Sequence, residues 1–160
     1  MVEPTMERDG MVFFQIQGNV LLQEVMLAQF MAAIAAFEGF WKEGSIAQEN
    51  NNPGNIRPVG AKTGFQKPLT VEEGWKLLRK QVLINVSRGL TLDEFFLGKE
   101  DVYPGYTPLG DPGNTPEILE NYISFVSEAT RIPRGYDLRL YFPNLTKNAI
   151  ESSVLWGFRG

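Results

Sequence analysis

The sequence predicts a mainly α fold of the α+β kind, and three features carry that expectation. Apolar residues recur at helical spacing from about Val20 to Glu38 and again from Val71 to Val86. Two Thr-x-x-Glu signatures, Thr70–Glu73 and Thr91–Glu94, mark helix starts, because hydroxyl and carboxylate can satisfy free backbone donors of a first turn. Between residues 45 and 68 prolines, glycines and asparagines break any period, so a loop is expected there, with a small sheet or hairpin around residues 50–68.

Residues 1–18 read as an N-terminal extension, with Val12, Phe14 and Ile16 alternating against glutamines like a short strand. The remaining residues, 19–160, read as one domain, the usual outcome for a 160-residue chain that is 43% hydrophobic. In the central helix Leu22, Met26, Phe30, Ala33, Ile34 and Phe37 form the apolar stripe, and Gly39 is a natural stop. The helix opened by Thr70 runs through Trp75, Leu78 and Val82 to Gly89, and the one opened by Thr91 ends by Gly98. Turns fill residues 99–114. Pro116, after Thr115, suits a first helical position, and Leu119, Tyr122, Ile123 and Val126 give that helix one apolar face before Pro133. The segment from Asn144 to Trp156 is expected to form a last helix.

Composition narrows the chemistry. The chain has no cysteine and no histidine, which removes thiol and imidazole catalysis, disulfides and the usual zinc sites; no metal or organic cofactor is implied. A net charge of −4 without clustered Lys or Arg argues against nucleic acid as a partner. The N-terminal residues carry Glu3, Glu7 and Asp9, and the later apolar stretch is interrupted by Gln23, Glu24 and Gln29, so neither a secretory signal nor a membrane partner is expected. A monomer is expected.

Glu38 is the residue on which function turns. It closes the apolar helix four residues after Ile34 and eight after Phe30, at the margin of the stripe, where its charge is poorly solvated. Both an apolar neighbourhood and a helix C-terminus disfavour the ionised carboxylate, which is what an acid must have to stay protonated near neutral pH. A helix-terminal carboxylate at a surface has the same local sequence, so the following loop matters. It reads Asn50-Asn-Asn-Pro-Gly-Asn-Ile-Arg57 and supplies amides suited to sugar hydroxyls and N-acetyl groups, of which Asn52 and Asn55 are the favoured ligands. Turn chemistry alone would also enrich Asn, Pro and Gly here.

The segments AIAAFEGF (33–40) and SIAQENNNPGNIR (45–57) resemble the lysozyme-like phage lysins and lytic transglycosylases whose active-site segment ends in an NNPGN run. The resemblance continues through Gly64-Phe65, Thr70–Gly74, Leu77-Leu78, Leu90-Thr-Leu92, Tyr103-Pro104 and Asn121-Tyr122. It implies a lysozyme-like helical domain that cleaves the MurNAc–GlcNAc linkage of peptidoglycan glycan strands, in a bacterial cell envelope or encoded by a phage. With no visible leader, either delivery by another route, such as a phage holin or a virion, or a leader lying outside this sequence is expected.

Under that resemblance Glu38 corresponds to the catalytic glutamate, general acid in either reaction type. A lytic transglycosylase needs only this carboxylate, whereas a hydrolase needs a second, for which Glu72, Glu43 and Glu49 are candidates. Glu49 stands where a neutral or basic residue is expected, and its charge would either raise the Glu38 pKa or repel an anionic polymer. Arg57 suits the lactyl or peptide carboxylate, or an ordinary ion pair. Of Phe40, Trp41, Tyr103 and Tyr106, the two loop tyrosines are expected to stack on sugars and the helix-proximal pair to pack in the core. Tyr122 matches a tyrosine that helps place the acid, and its helical face suits core packing equally. The competing expectation is a noncatalytic glycan-binding or virion structural module; a chitinase-type activity is a third.

Overall fold

The computed structural model describes residues 16–61, 63–108, 110–111 and 113–148. The fold is mainly helical: α1 (Val20–Phe37), α2 (Ile46–Glu49), α3 (Val71–Val86), α4 (Leu92–Leu97) and α5 (Pro116–Thr130), then a short 3-10 turn (Leu138–Leu140) and helical residues 143–148. The rest of the expected last helix and, apart from Ile16, the expected N-terminal strand lie outside the described residues.

Helix starts follow the chemistry of their caps. Asn19, Ser45, Thr70, Thr91 and Thr115 each accept, through the side chain, a backbone N–H of the first turn. At Thr91 the box is reciprocal, since Glu94 accepts from the Thr91 N–H at 2.9 Å. At Thr70 it is not. There Glu73 reaches one residue further back and accepts from the Leu69 N–H at 3.2 Å. Helix α2, opened by Ser45, was not anticipated inside the loop.

The sheet expected around residues 50–68 is not formed, and no strand occurs among the described residues. The reason is Asn52. Its amide nitrogen donates to the carbonyls of Ile56 and Gln66, both at 2.9 Å, and its oxygen accepts from the Ile56 N–H at 3.0 Å. Backbone groups that a ladder would pair are thus taken by one buried side chain, and among the described residues the two arms are joined by one backbone bond, Gln66 N–H to Ile56 O at 2.8 Å, and by the Gln66 side chain, which donates to Arg57 O at 3.2 Å.

Helix α1 runs through the core, packed most extensively on α5 and also on α3. By length and composition α1 could also cross a membrane; here Leu27, Phe30, Ile34 and Ala35 are buried against the rest of the chain. Phe30 meets Phe95 edge-on, 5.1 Å between centroids, and Phe142 at 6.4 Å. Each such side chain removed from water contributes about 1.5–3 kcal/mol. Gln23, fully buried in α1, donates to Ile16 O and Asn144 Oδ1 and accepts from the N–H groups of Asn144 and Leu145. Ile16, read above as part of an extension, is therefore held in the core.

Two glycines allow the Asn-rich loop to lie flush on α3 and on the turn that follows α4. A Cβ on Gly74 would fall 1.8 Å from the Asn51 carbonyl oxygen, and one on Gly54 would fall 2.5 Å from the Tyr106 hydroxyl and 2.6 Å from Leu78. The loop that follows the acid in sequence is thereby pinned beside it in space.

Candidate active site

Glu38 is the C-cap of α1, its N–H donating to Ile34 O at 2.9 Å. Gly39 then takes a left-handed φ of +79°, and the Phe40 N–H returns to Ala35 O at 2.9 Å, so the chain leaves the helix sharply at the acid. Around the carboxyl come three groups from distant sequence. The Tyr122 hydroxyl donates to Glu38 Oε2 at 3.5 Å, the Asn55 amide is a further hydrogen-bond partner, and the Arg57 charge lies within electrostatic reach.

Burial dominates the acidity of Glu38 and raises its pKa from 4.5 to about 7; Asn55, Tyr122 and Arg57, in that order, oppose the rise. The residue keeps a partly exposed edge, so a substrate oxygen can still approach it. No acid is among the groups that shift it. The increase expected from Glu49 comes instead from desolvation. Glu43, Glu49 and Glu72 are all exposed, Glu49 closing α2 and Glu72 in the first turn of α3.

A chain of rings sets the tyrosines. Phe37 stacks on Tyr122 with centroids 4.0 Å apart, Tyr122 meets Phe96 at 4.6 Å, and Phe95 stacks on Tyr106 at 5.6 Å. Tyr122 is buried and Tyr106 half-buried, and desolvation first, then the Glu38 charge, pushes the pKa of each well above 10.0. They stay protonated, which makes Tyr122 a donor to the acid and not a base. Tyr106 donates to Gly54 O and fastens the loop immediately before Asn55.

The residues singled out as sugar ligands fall into two groups. Asn55, Arg57 and Tyr122 gather at Glu38. Asn55 holds a left-handed φ of +49°, an uncommon conformation that Asn tolerates better than most residues, and its Oδ1 is buried without a hydrogen-bond partner. The Arg57 guanidinium also lies over Phe65, 5.4 Å from the ring centroid. Asn52, Tyr103 and Tyr106 are instead committed to the protein interior. Asn52 builds the loop, while Tyr103 accepts from Asn85 Nδ2 at 3.2 Å, lies under Arg88 and has its pKa raised by burial.

Trp41 reverses its expected role. It is 57% exposed, three residues beyond Glu38, on the turn that leaves α1. Its position outside the helix was the signal in the sequence. No family model, characterised protein or solved structure matches the chain.

Chemically, a carboxyl with a pKa of about 7 can both give and take a proton at neutral pH. Among the described residues no group of three or more acidic side chains is placed to hold a metal ion.

Proposed function

We propose that this chain is a peptidoglycan-cleaving glycosidase of the lysozyme-like type, acting on the MurNAc–GlcNAc linkage with Glu38 as its acid. The observation that carries the reading is a single carboxyl, desolvated to a pKa of about 7, accompanied by Asn55, Arg57 and Tyr122. The resemblance of residues 33–57 to lysins and lytic transglycosylases points to the substrate.

Glu38 protonates the glycosidic oxygen as the C1–O bond breaks and positive charge develops on the sugar ring. The resulting carboxylate is met by the Tyr122 hydroxyl and the Asn55 amide. It then takes the proton of the muramyl 6-hydroxyl while O6 bonds to C1, which closes a 1,6-anhydro ring and restores the acid. That intramolecular route needs one carboxylate, whereas hydrolysis needs a second, and the expected candidates Glu43, Glu49 and Glu72 are all exposed. The action would lie at the bacterial envelope, with glycan strands as the partner.

Glu38→Gln tests the reading. The variant should no longer clear purified sacculi while keeping its fold, and unchanged clearing would refute it. Parent products ending in anhydro-muramic acid indicate the transglycosylase, reducing ends the muramidase. A noncatalytic glycan-binding or virion module is the second reading, favoured by the commitment of Asn52, Tyr103 and Tyr106 to internal contacts. Binding to sacculi without cleavage over long incubation would select it.

A further inference from the structure

We infer that Trp41 is the sugar-stacking platform of this site, a specificity residue that takes the apolar face of an N-acetylated pyranose next to the bond held at Glu38. The inference rests on the glycosidase reading and names how that site grips its substrate. Four observations carry it.

First, the ring is offered to solvent: Trp41 is 57% exposed, although a large aromatic gains most from burial. Second, it is held in place. Phe40 meets it edge-on at 5.7 Å and Trp75 lies tilted against it at 6.0 Å, while Phe40 and Trp75 meet at 5.5 Å in a satellite core with Ala35 and Ala47. A platform braced by two rings loses little conformational freedom when a sugar lands on it. Third, its backbone is tied to the acid: Gly39 turns the chain, and the Lys42 N–H closes that turn on Gly39 O at 2.9 Å. Fourth, the loop aromatics are occupied elsewhere, since Tyr103 and Tyr106 are half-buried and engaged in ring contacts and hydrogen bonds of their own.

A pyranose presents a face of C–H groups flanked by polar substituents, which matches an exposed indole bordered by polar turn residues. Trp41 follows the proposed acid by three residues across one tight turn, and that proximity favours a glycan over an unrelated protein partner as occupant.

The test uses the full chain carrying Glu38→Gln, so that ligand is bound and not cleaved, titrated calorimetrically with a soluble GlcNAc–MurNAc tetrasaccharide. Adding Trp41→Ala should weaken binding about tenfold, and Trp41→Phe should restore most of the loss. Circular dichroism and thermal melting of each variant separate lost stacking from lost folding, and a Trp41→Ala chain that melts like its parent is expected. Equal affinity with and without Trp41 would overturn the inference and leave the glycosidase reading standing. No binding by the parent would overturn both.

Discussion

The Tyr122 hydroxyl donates to Glu38 Oε2 at 3.5 Å, joining residues 84 positions apart across the packing of α5 on α1. The phenol stays protonated, so the contact favours the carboxylate form of Glu38 over the acid form. Replacing Tyr122 by Phe keeps the ring stacked on Phe37 and removes the donor. The Glu38 pKa is expected to rise above its present value of about 7, and the alkaline limb of a pH–rate profile to move up with it. Carbon-13 titration of the glutamate carboxyls reads the same change without turnover; an unmoved titration would remove Tyr122 from the proton chemistry.

Glu38 also costs stability, with a pH dependence of fixed sign. Its folded pKa lies above the ordinary 4.5, so below pH 4.5 both states hold the proton and nothing is lost. Between 4.5 and about 7 the unfolded chain ionises first, the folded state holds more protons, and stability falls as pH rises. Above 7 the full penalty remains, about 3 kcal/mol at most. Glu38→Gln should therefore be more stable than the parent at pH 8 by about 2–3 kcal/mol and nearly equal to it at pH 4. Urea unfolding at the two pH values checks this, and a difference that does not change with pH would contradict it.

Gly74 marks the tightest approach, where an added Cβ would sit 1.8 Å from the Asn51 carbonyl oxygen. Both partners are backbone, so neither can rotate away. Gly74→Ala should cost about 3 kcal/mol or more and loosen the loop beside the acid. Gly135→Ala, which meets nothing within 4 Å, is the control and should change stability by less than about 0.5 kcal/mol.

Asn52→Ala removes two donated bonds and one accepted bond inside a buried loop. Taking that partner from the Ile56 N–H and the Gln66 carbonyl, and leaving the Ile56 carbonyl with the Gln66 N–H alone, should cost about 2–4 kcal/mol. If Asn52 were chiefly a sugar ligand, the substitution would weaken glycan binding and leave the melting temperature unchanged. Thermal melts and binding isotherms on one preparation separate these outcomes.

Helices were legible in the sequence because their signals are local. Thr70, Thr91 and Thr115 cap within three residues, and the apolar stripe of α1 repeats within one turn. The sheet was misjudged because Asn52 settles its loop through partners as far as Gln66. Helix α2 was overlooked although Ser45 and Gln48 carry a capping signature, since only four residues follow the cap. At the site, the acid could be read from its place on α1, but exposure could not. Tyr103 and Tyr106 sit in a turn-rich stretch yet are half-buried, with their rings and hydroxyls engaged by α3, α4 and the Asn-rich loop, while Trp41, in an apolar neighbourhood, faces water.

The surroundings of Glu38 are gathered from far along the chain. Its hydrogen-bond partner Tyr122 belongs to α5, the last of the long helices to leave the ribosome, and the loop that carries Asn55 is fastened by Tyr106. A chain that stops at Thr115 lacks both the Tyr122 hydroxyl and the α5 face against which α1 packs, so Glu38 there is without one of its hydrogen-bond donors and part of its cover. Under the proposed function, lytic competence therefore requires α5 in place and is not a property of the segments that precede it.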